Sequence, residues 1–391
     1  MSIIISLDKC SAISPHCVVK IMQGGKLPKG GGIWSIENEI KPSDLYCYLY
    51  AKFGPPNGLQ NLFRQDDSDN LIHWDWTLGH ELGLIMILGL NMRTEVHLLG
   101  NFDFPRCNKE AFISSIKNDL GNYGKAISKF RCEHLENWDI FINPYRQLND
   151  TVEQFITELS ELDLNPKKEN LQNPTSPANY SNFMDKMNKL MERYNKGIGL
   201  AISLRIMLPI LAETFINLLI FILCRPDIRN NKRLFDSYFK ENIDVRIQSL
   251  HIKCSGFATP IDWNSEQCKK YNSIVNQRND LLHGNIAVEK LKFSEIFFNG
   301  KVPVFKQYET MWQQSVGVSI NASGVGSVKQ LQEDIQEFIE YVLSCLESDA
   351  KGHVEFILAK RDIGRNRENG RLGILLPDYL VDFGVSYIQN G

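Results

Sequence analysis

Apolar Ile72, Trp74, Trp76 and Leu78 alternate with His73, Asp75 and Thr77, a period of two that predicts a strand with one buried face. Two apolar stretches follow at 83–90 and 94–100, separated by Asn91-Met92-Arg93, and together they read as a hairpin. The period then becomes helical, with Phe112, Ile116, Leu120 and Ile127 near one face of a segment spanning 108–130. A strand at 138–142 and a helix near 151–162 come next. Short apolar runs at 3–5 and 18–21 read as strands, joined by turns at the glycines of 24–25 and 30–32. On an alternating strand, Trp74 and Trp76 are expected in the core rather than stacked on bases.

Residues 165–177 carry three prolines, many polar side chains and no periodicity, which marks a linker. Beyond it the pattern is helical, over 180–194, 197–224, 230–253 and 264–283. Asn264 suits the start of the last of these, with Gln267 at the capping-box position, and Gly284 suits a left-handed residue at its end. Asn299-Gly300 between apolar runs predicts a hairpin. A long helix starts at Ser327, with Gln330 placed for a second capping box and Leu331, Ile335, Phe338, Val342 and Leu346 along one face. The expected fold class is an α+β N-terminal domain followed by a mainly α-helical bundle with a β-hairpin insertion at about 288–306. The boundaries are 1–163 for the first domain, 164–179 for the linker, 180–350 for the bundle and 351–391 for a basic C-terminal tail. In that tail Lys360, Arg361, Arg365, Arg367 and Arg371 outnumber Asp362 and Glu368, which reads as a solvated loop before it reads as a phosphate-contacting arm.

Composition narrows the function classes little. The 391 residues carry a formal charge of −3, so phosphate binding would need a local patch rather than a global field. Nine scattered cysteines without a Cys-x-x-Cys pair fit a reducing, cytoplasmic compartment. Cys10, His16 and Cys17 form at most half of a metal site and no second half follows, so no metal or other cofactor is expected. His80-Glu81 lacks a second histidine four residues on, and the N-terminal glycines lack a following Gly-Lys-Ser/Thr, which removes the zinc-protease and phosphate-loop readings. The start of the chain has neither the basic nor the long apolar region of a secretory signal. The apolar stretch 197–224 is interrupted by Arg205 and Glu213 and contains Pro209, which suits a buried bundle helix better than a membrane span and disfavours a membrane-associated regulator.

The remaining chemistry lies in Arg278-Asn279-Asp280-Leu281-Leu282-His283-Gly284. On a regular helix, residues five apart lie roughly 140° from one another around the axis, so Arg278 and His283 can border one cleft only where the helix ends. A helix C-terminus favours a protonated imidazole by roughly 0.3–1 kcal/mol, which suits a general acid. Metal-independent RNA cleavage needs a proton taken from the 2′-hydroxyl, a proton given to the 5′-oxygen, and charge neutralised on the crowded phosphorus. Histidine can move the protons, and a guanidinium can clamp the oxygens. One histidine does not readily serve as both acid and base, so this chemistry calls for two copies meeting across a two-fold axis. Arg246 and His251 repeat the spacing, but with Ile247 after the arginine and Ile252 after the histidine they read as ordinary helix surface and core. Glu213, a carboxylate on an apolar helix, is expected to pair with an arginine.

Arg278-Asn279-x-x-x-His283-Gly284 at the end of a helix in a bundle resembles the Arg-polar-x-x-x-His motif of the HEPN superfamily, over roughly residues 180–350. That resemblance implies a small helical bundle that dimerises around the motif and, in many members, a metal-independent ribonuclease acting as a toxin or antiviral-defence effector. Carried onto this chain, it implies Arg278 as the phosphate clamp, His283 as the proton-transfer residue and Asn279 as the polar residue that orients the site. The expectation is an endoribonuclease with an RNA substrate, a homodimer, and an N-terminal domain that senses a protein or phage-derived trigger or restrains the nuclease. The alternative is a non-catalytic module of the same fold that binds a nucleotide or a partner protein.

Overall fold

The computed structural model describes residues 3–24, 30–58, 71–165, 169, 176–285, 295–306 and 316–377. It divides into two compact units: one of residues up to Ile140 together with those from Gly364 onward, the other from Phe141 to Ile363.

The first unit is built on an antiparallel five-stranded sheet. Its strands are β1 (Ser11–Ala12), β2 (Gly31–Ile36), β3 (Ile72–His80), β4 (Gly83–Leu90) and β5 (Thr94–Gly100), in the order β1-β3-β4-β5-β2. The alternating segment is β3 and the two apolar stretches form the β4–β5 hairpin, with Gly89 opposite Thr94 next to the turn. One sheet face supplies Trp34, Ile36, Trp76, Leu78, Ile85, Ile87, Val96 and Leu98 to a core shared with Leu45, Tyr48, Leu49, Phe112, Ile113 and Ile116. The core helices are α2 (Pro42–Phe53) and α3 (Lys109–Leu120); an earlier helix, α1, spans Pro15–Gln23. Trp76 is fully buried and its indole N–H donates to the Gly54 carbonyl at 3.1 Å, a core role as expected. The other face of β3 is also covered: Asp75 and Thr77 are both 0% exposed. Asn57 holds that strand, accepting from the Thr77 N–H at 3.0 Å and donating to the Thr77 carbonyl at 2.9 Å.

Several elements depart from the sequence pattern. The run 18–21 is helical, within α1, rather than a strand. The glycines at 31 and 32 open β2, where pairing with Leu99 and Leu98 of β5 overrides their turn preference. The segment 108–130 is two helices, α3 and α4 (Gly124–His134), broken by turn residues 121–123. Asn108 caps α3 as expected, accepting from the Ala111 N–H at 2.8 Å.

The second unit is helical. Helix α5 (Pro144–Glu161) begins earlier than expected, with Asn143 as its cap. Helix α6 (Tyr180–Leu223) runs unbroken for 44 residues, joining two predicted helices. After α7 (Pro226–Arg229), three short helices, α8 (Lys232–Tyr238), α9 (Ile243–Gln248) and α10 (Leu250–Lys253), stand where one helix over 230–253 was expected. Next come α11 (Glu266–His283), α12 (Val318–Ser323), α13 (Val328–Ser344) and α14 (Ser348–Leu358). Leu204, Leu208, Phe215 and Leu219 of α6 pack with Tyr271 and Ile274 of α11 and with Ile335, Phe338 and Val342 of α13. Val152 of α5 is buried in the same core. Helix α5 therefore belongs to the helical unit, and the boundary falls after residue 140 rather than at 164. Helix α6 is long and apolar enough to cross a membrane by length and composition, and half of its apolar window is buried inside the unit.

Strand β6 (Trp138–Ile142), as expected, pairs with β9 (Asp362–Asn366), which pairs with β10 (Leu372–Gly373). The stretch after 350 is thus folded as far as residue 377 rather than being a loose tail, and residues 378–391 lie outside the described set. Arg361 pairs with Asp362 at 2.6 Å, Arg367 with Asp139 at 2.6 Å and Arg371 with Glu136 at 3.3 Å, so three of its arginines have acidic partners. The expected insertion appears as strands β7 (Ile296–Asn299) and β8 (Val302–Phe305).

Candidate functional site at the end of helix α11

Helix α11 starts one residue later than expected. Ser265, not Asn264, is the cap, and its hydroxyl accepts from the Cys268 N–H at 3.3 Å, leaving Gln267 out of capping-box register. Its end matches expectation: Gly284 is left-handed, with φ 61° and ψ 34°. The Gly284 N–H donates to the Leu281 carbonyl at 3.4 Å and the Asn285 N–H to the Asp280 carbonyl at 3.0 Å, the two bonds of a Schellman motif. Asn285 also donates a side-chain bond to the Asp280 carboxylate at 2.9 Å. His283 is therefore the last helical residue, where the orphan carbonyls of the helix end concentrate negative potential.

The motif residues lie in different settings within the chain. His283 is exposed and, among the described residues, has no hydrogen-bond partner, whereas Arg278 and Asn279 are half-buried. Arg278 turns toward α6, where its Nη2 lies 3.7 Å from Oε2 of Glu213. The same carboxylate uses Oε1 to accept from Nη2 of Arg246 on α9 at 2.5 Å. Nη1 of Arg246 donates to Oδ1 of Asn217, one helical turn beyond Glu213 on α6. Sequence reasoning expected one arginine at Glu213 and set Arg246 aside. The structure brings both arginines to one carboxylate, so the cluster carries an excess positive charge.

That excess is shielded from water to different degrees. The side chains of Arg246, Arg278 and Glu213 are 7%, 19% and 28% exposed, so Arg246 is the structural member and Arg278 the one nearer solvent. Tyr271, two turns before Arg278 on α11, stacks on Phe338 at 4.2 Å with its rings 9° from parallel. Burial, followed by the Glu213 charge, pushes its phenol pKa upward, so it stays a neutral hydroxyl. Among the described residues the Tyr271 hydroxyl and the Nε atoms of Arg246 and Arg278 are buried without hydrogen-bond partners. A buried polar group without a partner costs about 1–3 kcal/mol. The clue in sequence was Glu213 itself, because a carboxylate in an apolar helix demands a cation.

The second charged interruption of α6 is also accommodated. Arg205 donates to the carbonyl of Ser323 at 3.2 Å, at the C-terminal end of α12, where the dipole favours a cation. Elsewhere in this unit Lys232, Arg233, Asp236, Ser237 and Lys240 line an open hollow of about 500 Å³ along α8. Among the described residues none of its three cations has an acidic partner within 4 Å, which makes it a local basic patch on a chain without a global one. No group of three or more His, Cys, Asp or Glu side chains among the described residues is arranged to hold a metal ion.

No protein-family model, curated protein or solved structure matches this chain.

Proposed function

We propose that the helical unit is a HEPN-like endoribonuclease that cleaves RNA without a metal, at a site completed by a second copy of the chain. The observation that carries the reading is the division of labour along α11. Arg278 is anchored from behind by Glu213 and keeps its side chain 19% exposed. His283 is exposed at a helix end sealed by Gly284.

In the reaction, the 2′-hydroxyl loses its proton to one imidazole as the 2′-oxygen attacks the adjacent phosphorus. The P–O5′ bond breaks, and the departing oxygen takes a proton from the second imidazole, leaving a cyclic phosphate and a 5′-hydroxyl. The guanidinium of Arg278 neutralises the phosphoryl oxygens as charge builds on them. One His283 per protomer means that the acid and the base come from different copies. Asn279, half-buried beside Arg278, orients the site. Lys232, Arg233 and Lys240 offer the RNA backbone a basic landing surface. The first unit acts as sensor or restraint, answering to a protein or phage-derived trigger. Cytoplasmic placement and a role as toxin or antiviral effector belong to the same proposal and rest on resemblance of the motif.

The test incubates wild-type protein and His283→Ala with mixed RNAs in EDTA. The expected result is cleavage by wild type, with cyclic-phosphate ends, and loss of at least about a hundredfold in the variant. Equal cleavage by both, or none by either, overturns the reading. A second reading, a non-catalytic binding module, is favoured by the partial commitment of Arg278 to Glu213, and it predicts RNA or partner binding with no cleavage by wild type.

A further inference from the structure

The hairpin β7–β8 is apolar on both faces, and all eight of its strand residues are exposed. Ile296 pairs with Phe305 and Phe298 with Pro303 on one face, while Phe297 pairs with Val304 and Asn299 with Val302 on the other. Phe298, Val302 and Phe297 are 67%, 63% and 57% exposed. An isolated two-stranded ribbon is marginal in water, and the described strand residues of this one are exposed on both faces. Gly300, with φ 62°, takes the first central position of the turn and Lys301 the second, as in a type II′ hairpin.

The details of the ribbon restrict what can cover it. In a two-residue hairpin the pairs 299–302 and 297–304 exchange hydrogen bonds, so at the intervening pair the backbone nitrogens point outward. Pro303 occupies that position and has no N–H to offer, which blunts the outer edge of β8 against strand addition. The faces carry the exposed apolar side chains and are the docking surface. Along them there is no charge: Lys301 sits in the turn, and Glu295 and Lys306 at the base neutralise one another at 2.9 Å. Uncharged faces do not attract a phosphate backbone, and they do not repel an identical copy.

The six exposed Ile, Phe and Val side chains present on the order of 600 Å² of apolar surface divided over the two faces, so each face alone matches the largest patch of a typical monomer. Two copies would together contribute about 1,200 Å², the lower limit of a standard specific interface. The hairpin is the next described element after the helix that bears Arg278 and His283. We infer that β7–β8 is the dimerisation arm of this protein, its apolar faces docking on a second copy of the chain. The choice of a second copy rests on the proposed shared site, which one protomer leaves with a single His283.

The experiment compares full-length wild type with Phe297→Asp/Phe298→Asp, one carboxylate on each face, and with Lys301→Glu in the turn as a control. Molar mass is followed by sedimentation velocity over a range of protein concentrations, without RNA. Wild type and Lys301→Glu are expected as dimers, and the double variant as a monomer with unchanged circular dichroism and a lower, concentration-independent melting temperature, its dimerisation weakened at least about a hundredfold by carboxylates in an apolar contact. A wild type that is monomeric at every concentration overturns the inference, as does a double variant that dimerises like wild type. The nuclease reading fails separately: a hairpin-dependent dimer that cleaves no RNA refutes that reading and leaves this inference standing.

Discussion

Glu213 divides its two oxygens between Arg246 and Arg278, and the two contacts differ in kind. The Arg246 contact is a short hydrogen bond in the core, whereas Arg278 lies 3.7 Å away, beyond hydrogen-bond reach, as an ion pair. Glu213→Gln keeps the shape and removes the charge. It is expected to destabilise the helical unit by about 2 kcal/mol, because two sheltered guanidiniums lose their shared counter-ion. RNA cleavage per folded molecule should fall at least about tenfold, in kcat more than in KM, since Arg278 would no longer be held in place. Arg246→Met is expected to cost similar stability while leaving cleavage per folded molecule within a few-fold. Denaturant titration and kinetics together decide, and full activity per folded molecule in Glu213→Gln would end the positioning role. Sequence alone named Arg278, Asn279 and His283 and required a cation for Glu213. It could not reveal that Arg246 is that cation's companion, because their meeting depends on how α9 and α11 both pack on α6.

Elements were legible where local chemistry and tertiary packing agree. Helix α11 ends at the left-handed Gly284, and β4–β5 turns where the apolar runs break. Helix α13 starts after Ser327 as expected, yet the capping box is not formed: the Ser327 hydroxyl donates to the Gly324 carbonyl instead, and Gln330 bonds Asp334. Packing overruled propensity at β2, where sheet pairing straightens a glycine run, and at α6, where Gly197 and Gly199 lie inside one continuous helix. A polar contact between α2 and α3 yields a pH prediction. Burial would raise the Asp119 pKa, but hydrogen bonds from Lys52 at 2.6 Å and Tyr48 at 2.7 Å, with one from Asn122, hold it down from 3.8 to about 2. A depressed carboxylate binds protons later in the folded than in the unfolded chain, so its contribution is present above pH 3.8 and is lost as pH falls toward about 2. Thermal melts from pH 5 to 2 should therefore show a steeper loss in wild type than in Asp119→Asn, which starts less stable. Parallel loss in the two proteins would refute the coupling.

At the scale of the whole molecule, what the chain leaves exposed matters most: His283 and, among the described residues, a hairpin with apolar side chains exposed on both faces. The α+β and helical units were both visible in the change of hydrophobic period. Their boundary was not, because the Pro-rich segment before α6 resembles a domain linker, whereas Val152 of α5 lies in the helical core. If acid and base are His283 residues of different copies, a dimer with one substituted histidine is inactive. Co-expressing equal amounts of wild type and His283→Ala under random pairing then leaves about a quarter of the dimers with both imidazoles. Cleavage should therefore fall to about a quarter of the wild-type rate, and in general with the square of the intact fraction. Independent sites would instead lose activity in direct proportion, to about half. The same mixing made with Phe297→Asp/Phe298→Asp in both partners should show little activity at any ratio, because the second imidazole never arrives. A strictly linear dependence in the first mixture would place the whole reaction within one protomer, and would require a proton carrier other than the second His283.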